Sequence, residues 1–313
     1  MIKVAIIGRN FGKIGLFPAF NSIKGAKVAG IYTKENWRNI LKDKTINAIA
    51  IATPPDIQYK IAKEAIKNKL HIFAEKPLAV STKQAKELLT LANKNKITTC
   101  MDFIFPEIAE WKKVKYILDS NKLGKLKNVS VDWQWLSGDI KYRRRSWKTN
   151  TKKGGGVLSF YFSHGLYYLE YFAGKIQNIE TKFTHSKESL NGAEVGIDMS
   201  IKFENKVNGS AHIFCNSREY VRHKLVFECE KGAILLENKN AIVDKFTIQI
   251  QTKNKRKKIL VTKDKGKKGE DERAKIVRIL ANRFIKACTS GKQMTPSFVE
   301  GLRIQELIDK SRK

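Results

Sequence analysis

Residues 2–12 read IKVAIIGRNFG, an apolar run that ends in the turn Gly8-Arg9-Asn10-Phe11-Gly12. Lys3 to Ile7 reads as a short strand, and the turn opens a helix that runs through Phe20. The pattern then repeats. Val28 to Tyr32 reads as a second strand, and Ala48 to Ala52 (AIAIA) is continuously apolar, as a parallel strand covered on both faces requires. Ile57, Ile61, Ala65 and Ile66 mark one stripe of a helix, and His71 to Ala74 is another short strand. Ser81 with Gln84 three residues later is a capping box, opening a helix with Ala85, Leu88, Leu89 and Ala92 inward. Ile97 to Cys100 closes the series. Strands joined by helices demand right-handed crossovers, so this part of the chain predicts an α/β fold with a doubly wound parallel sheet.

From about Asp102 the pattern changes. A helix over 106–118 leads to a strand over 128–135 (NVSVDWQW), and an aromatic helix lies near 158–173. Period-two runs follow: Met199, Ile201 and Phe203; Leu225, Phe227 and Cys229; Phe246, Ile248 and Ile250. Such one-sided strands predict a mostly antiparallel sheet with one face free for helices or a partner subunit. Two helices, at about 271–288 and 296–311, close the chain. Two domains are expected, 1–101 and 102–313.

Bulk properties narrow the function classes. A chain of 313 residues that is 42% apolar can bury a substantial core. Cys100, Cys215, Cys229 and Cys288 lie far apart with no CxxC pair, so neither a disulfide framework nor a metal site is expected. The first strand pattern begins at Ile2, which leaves no room for a secretory leader. No apolar run approaches the roughly 20 residues that span a bilayer. A cytoplasmic location without membrane contact is expected. The net charge of +31 raises the question of nucleic acid. Most lysines are dispersed along amphipathic helices, as solvated faces would be. The denser stretches, Lys253 to Lys268 and Arg143 to Arg145, lack the interleaved aromatics on which bases stack. No nucleic-acid partner is expected.

The chemistry is expected at strand ends. Gly8, Asn10, Phe11 and Gly12 form a turn whose small or left-handed-tolerant residues let backbone approach a pyrophosphate at a helix N-terminus. Tyr32-Thr33-Lys34 ends the second strand, where an NAD site usually carries an acid for the ribose diol. Thr33 and Lys34, a hydroxyl followed by a cation, suit a 2′-phosphate, so NADP is preferred over NAD. Thr53-Pro54 and Glu75-Lys76-Pro77 follow the next two strands, at the carboxyl edge where open sheets bind ligands. Partial burial there lowers an ammonium's pKa and readies it to donate to a substrate oxygen, which makes Lys76 the candidate catalytic residue. A guanidinium fork grips carboxylate or phosphate, so Arg144 is a candidate contact for an anionic substrate, such as a sugar acid or nucleotide sugar. The same run reads equally as an exposed basic loop.

Taken together, these residues resemble the Gfo/Idh/MocA oxidoreductases, which include glucose–fructose oxidoreductase and inositol dehydrogenase. The matching segments are IIGRNFGKIGLFPAF, IATPPDIQYKIAKEAI, HIFAEKPLAVS, DFIFPEIAEW, LGKLKNVSVDW, SWKTNTKKGGGVLSFYFSHGLYYLEYFAG and PSFVEGLRIQELIDK. They follow the family's order over nearly the whole chain, and EKP with GGGxLxxxxxH is far more specific than the glycine turn. The resemblance implies an N-terminal Rossmann domain that binds NAD or NADP. It also implies a C-terminal substrate-binding α/β domain whose open sheet forms a homodimer or homotetramer. Lys76 is then the family lysine, Glu75 a contact to the cofactor ribose, and Thr53 and Pro54 a lining near the nicotinamide ribose. His164 is then the residue that exchanges the substrate hydroxyl proton while hydride passes to or from nicotinamide C4. The implied activity is NAD(P)-dependent hydride transfer at a CH–OH or carbonyl group of a sugar-like substrate.

Departures from the family pattern carry consequences. Phe160 stands four residues before His164, and Tyr167 three after it, where many of these dehydrogenases place Asp. The carboxylates that would orient His164 are missing, and Tyr161 and Tyr168, on overlapping helix faces, are candidate substrate contacts in their stead. The same departures sustain an alternative reading, a catalytically silent dinucleotide- or sugar-binding regulator of the same fold. The segment 34–47 is short where the family fits a helix, a strand and another helix, so the sheet is expected to lack one strand.

Overall fold

The computed structural model describes residues 1–219, 221–239, 241–262 and 265–313. The first sheet has five parallel strands: β1 (Ile2–Ile7), β2 (Ala26–Tyr32), β3 (Ala48–Ile51), β4 (His71–Ala74) and β5 (Thr99–Met101). Their order is β2-β1-β3-β4-β5, so the sheet switches its direction of growth between β1 and β3. Val4 to Ile7 and Ala48 to Ile51 are buried throughout, which is why both read as unbroken apolar runs. Between β2 and β3 the chain makes only a 3-10 turn, Trp37–Lys42, that tucks Trp37 and Ile40 inward. Among the described residues no strand lies between β2 and β3.

The α-helices are α1 (Phe17–Asn21), α2 (Pro55–Lys67), α3 (Thr82–Lys94), α4 (Ala109–Asp119), α5 (Gly138–Lys141), α6 (Ser163–Ala173), α7 (Ala274–Ser290) and α8 (Phe298–Ser311). A π-helical turn, Gly12–Leu16, leads into α1, and a second, Val157–Tyr161, precedes α6. Ser81 caps α3 by accepting from the Gln84 amide, while the Gln84 side chain reaches back to the Val80 N–H.

A second sheet holds β6 (Leu126–Gln134), β7 (Ile176–Thr184), β8 (Gly196–Phe203), β9 (Asn208–Phe214), β10 (Arg222–Cys229), β11 (Gly232–Lys239), β12 (Thr247–Thr252) and β13 (Lys255–Ile259). Its order is β13-β12-β11-β10-β6-β9-β8-β7, antiparallel except where β6 meets β9. Ile197, Met199, Ile201 and Phe203 point inward on β8 while Ser200 and Lys202 are exposed, the alternation of a half-covered sheet. α4 packs on β11 and β12. The exposed face carries Asp132, Asp198, Ser200, Ser210, His212 and Lys224. β13 presents Lys255, Arg256, Lys257 and Lys258 to solvent. Lys263 and Asp264, in the same basic stretch, lie outside the described residues.

The chain divides into two compact units, Met1–Ile104 with Asp264–Asp309 and Phe105–Lys263 with Lys310–Lys313. This differs from the expected 1–101 and 102–313, because the closing helices belong mostly to the first unit. The reason is visible in packing. Phe284 of α7 meets the rings of Phe20 and Phe73 edge-on, with centroids 6.3 and 5.8 Å apart. Next to β5, Met101 donates its N–H to the Pro296 carbonyl and Thr99 Oγ1 accepts the Phe298 N–H. Among the described residues no helix is long and apolar enough to cross a membrane, and no cluster of three or more metal-binding side chains occurs.

Candidate active site

The carboxyl edge of the first sheet gathers most of the residues singled out from sequence. Gly8 ends β1 with φ +140°, a conformation that side chains rarely adopt, and donates its N–H to the Tyr32 carbonyl. A Cβ at Gly8 would lie 2.5 Å from the Ala52 oxygen, so no larger residue fits between β1 and the turn after β3. Asn10 offers its carbonyl to Lys13 and Ile14, starting the helix that Phe11 and Gly12 enter. Pro54 caps α2, and Thr53 Oγ1 is buried with no hydrogen-bond partner. At the end of β2, Thr33 hydrogen-bonds Asn36, and Lys34 lies beside Glu35. Arg9 reaches Glu35 from the glycine turn at 3.4 Å. Glu35 sits below its usual pKa, held there first by Thr33 and further by Arg9 and Lys34.

Glu75 and Lys76 follow β4. Lys76 is only 9% exposed, and its amide lies 3.3 Å from Glu75 Oε2. Gln58, buried on α2, donates its side-chain amide to the carbonyls of Glu75, Pro77 and Leu78. Asp102, after β5, is 2% exposed, and the pairing of Ala74 with Met101 sets it alongside Glu75. Burial first, and then the Glu75 charge, hold the Asp102 carboxyl well above the usual carboxylate range. Arg273 stacks 4.5 Å over the Phe11 ring and is gripped by both oxygens of Asp271 at 2.8 Å. Sequence reasoning passed over Gln58, Asp102 and Arg273. The first two left a trace: a polar residue in the inward stripe of α2, and an acid set directly behind an apolar strand.

The second unit holds the remaining candidates. His164 lies in the first turn of α6, nearly buried, with its ring edge-on to Phe105 at 5.1 Å. Phe160 packs against Trp147 and Tyr161. Tyr161 also meets Trp135, and burial pushes its hydroxyl pKa up. Tyr168, the other tyrosine expected at the substrate, lies deeper. It is fully buried, and its hydroxyl lies 3.1 Å from His223 Nε2. His223 stacks flat on Trp133 at 4.3 Å, and burial drives its pKa down to about 3. Arg144 is exposed, its guanidinium 4.9 Å over the Tyr142 ring.

The glycine run is held by a residue from elsewhere in the sequence. Glu194, buried, accepts the Leu158 N–H and is paired with Arg312 at 2.7 Å. Gly156, at φ +92°, passes so close to the Glu194 carboxyl that a Cβ there would collide with it. This pairing sets the start of the turn that runs into α6 and His164.

Two family descriptions match the chain. Residues 19–103 match the oxidoreductase family with an NAD-binding Rossmann fold, and residues 111–235 match the GFO/IDH/MocA C-terminal domain. The chain belongs to the Gfo/Idh/MocA oxidoreductase family. An uncharacterised oxidoreductase of Synechocystis is 27% identical over 268 residues, covering 76% of this chain and 72% of its own. Levoglucosan dehydrogenase, solved with NADH and L-sorbose, superposes with a TM-score of 0.84 at 17% identity over 99% of this chain and 95% of its own. A 3-ketoreductase from Actinomadura kijaniata, solved with NADP and TDP-benzene, gives 0.83 at 16% identity, over 99% and 97%. At such identities the structural likeness establishes the fold.

Proposed function

We propose that the protein transfers hydride between a nicotinamide dinucleotide and the CH–OH or carbonyl group of a sugar-like substrate in the cytoplasm. The observation that carries this reading is Lys76, a residue only 9% exposed at the carboxyl end of β4, next to Glu75 and within electrostatic reach of Asp102. Two features of the same edge fit the cofactor: a cradle at Gly8 that any side chain would fill, and a buried Thr53 hydroxyl without a partner in the protein. When bound, the nicotinamide would supply or accept hydride at its C4.

Gly8, Asn10, Phe11 and Gly12 hold the pyrophosphate, and Thr53, Pro54 and Glu75 the nicotinamide ribose. Lys76 donates a hydrogen bond to the substrate oxygen and polarises it. His164 exchanges the hydroxyl proton of the substrate. Thr33 and Lys34, with Arg9 adjacent, favour the 2′-phosphate of NADP. Tyr161 and Arg144 contact the substrate, with Arg144 suited to a sugar acid or nucleotide sugar. The polar exposed face of the second sheet serves as the surface for a homodimer or homotetramer.

The test follows nicotinamide absorbance with NADPH or NADH against a panel of sugars, sugar acids and nucleotide sugars. Lys76→Met is expected to lower turnover by about 10²- to 10⁴-fold while dinucleotide still binds. Wild-type turnover in that variant would remove the assigned role. Phe160, packed against Trp147 where a carboxylate would orient the histidine, favours a second reading, a silent regulator. Its signature is dinucleotide binding without turnover across the whole panel.

A further inference from the structure

Asp102 stands where a charged carboxylate would be costly. Its amide N–H is tied to the Ala74 carbonyl at 2.9 Å, which sets the residue beside the turn that carries Glu75 and Lys76. The residue is almost wholly buried, and its Oδ1 has no hydrogen-bond partner. Three charged groups lie within electrostatic reach of it: Glu75 and Lys76 from the turn after β4, and Arg273 from the segment before α7. A carboxyl near an ammonium and a guanidinium would ordinarily ionise. Here Glu75 competes for the same cations, since Arg273 also feels the Glu75 charge and is already gripped by Asp271. The pairing of Ala74 with Met101 sets Glu75 and Asp102 side by side at the ends of adjacent strands, where two carboxyls do not readily both stay ionised, and the one further from water retains its proton.

We propose that Asp102 is a positioning residue that keeps its proton and donates it in a hydrogen bond to the Glu75 carboxylate. Glu75 is thereby fixed as an acceptor for the ribose hydroxyls. The assignment rests on the oxidoreductase reading above.

The test compares wild type with Asp102→Asn, whose amide can donate to Glu75 but carries no titrating proton, and with Asp102→Ala. In the free protein, the folded state retains a proton that the unfolded chain loses above about pH 4, so the contribution of Asp102 to stability falls as pH rises from there. Asp102→Asn escapes this loss. Its Tm is expected to exceed that of wild type by about 3 °C or more near pH 8, the gap closing toward about pH 4. A variant that melts at or below wild type at every pH overturns the retained proton. In a second arm, NADPH and NADH are titrated by quenching of tryptophan fluorescence. Asp102→Asn is expected to keep the wild-type Kd within about 2-fold, and Asp102→Ala to loosen it about 10-fold. Equal loosening in both variants overturns the positioning role. Failure of wild type to bind either dinucleotide overturns the oxidoreductase reading itself, while the melting arm still decides where the proton lies.

Discussion

The side-chain amide nitrogen of Gln58 lies 2.6 Å from the carbonyl oxygen of Glu75, and 3.0 and 3.2 Å from those of Pro77 and Leu78. A single buried donor group on α2 therefore gathers the turn that presents Lys76. Backbone carbonyls enclosed without a donor are expensive, so this one side chain carries the shape of the whole turn. Gln58→Leu keeps the volume and removes the donor. It is expected to cost about 1–3 kcal/mol in urea denaturation. Turnover and dinucleotide affinity should both fall, because the same turn carries the amine of Lys76 and the ribose contact Glu75. Unchanged stability and turnover would show that the turn holds itself.

Gly8→Ala tests the closeness of β1 to the turn after β3. The backbone at φ +140° and the 2.5 Å approach to the Ala52 oxygen each disfavour a methyl group. A loss of at least about 1–3 kcal/mol is expected, together with loss of dinucleotide binding in an equilibrium titration. Wild-type affinity in a folded variant would place the cofactor away from this turn.

Tyr168→Phe separates core from active site. The variant removes the hydroxyl next to His223 Nε2 and should lose about 1 kcal/mol of stability with turnover unchanged. Lost turnover at unchanged stability would return Tyr168 to the substrate pocket.

His223 also predicts a pH dependence. Burial lowers its folded pKa from 6.5 to about 3, so between those values the unfolded chain binds a proton that the folded chain refuses. Its contribution to stability is present above the upper value and is lost as pH falls toward the lower one. Melting followed from about pH 7 down to about pH 4 should therefore fall more steeply for wild type than for His223→Gln. Parallel curves would mean that the ring is protonated in the fold.

Glu194→Gln leaves Arg312 facing a neutral amide in a buried setting. Breaking one partner of such a pair is expected to destabilise by about 3–5 kcal/mol. Because Glu194 also accepts the Leu158 N–H ahead of α6, activity should fall in step with the loss of the folded fraction. A variant with wild-type melting would show the pair to be dispensable.

The parallel sheet was legible because β1 and β3 are buried on both faces, and burial leaves a continuous apolar run that few other elements imitate. The turns at Gly8 and at Glu75-Lys76 were legible for a related reason: residue types at strand ends report directly on backbone shape and ligand chemistry. The allegiance of α7 and α8 was not. An apolar stripe says that a helix is covered, and Phe284 could not announce Phe20 and Phe73 as its cover. Tyr161 and Tyr168 look alike in sequence, and only the long-range pairing with His223 assigns Tyr168 to the core. Arg312 and Glu194, far apart along the chain, carried no local signal at all.

The allegiance of α7 also bears on how the protein is made. The phenyl ring that completes the Phe20–Phe73 cluster leaves the ribosome only after the entire antiparallel sheet has been synthesised. The segment translated first must therefore wait, with part of its apolar surface uncovered, while the middle of the polypeptide assembles ahead of it. A stop codon placed before residue 274 would remove no strand from either sheet, yet it would strip the nucleotide-binding half of a wall.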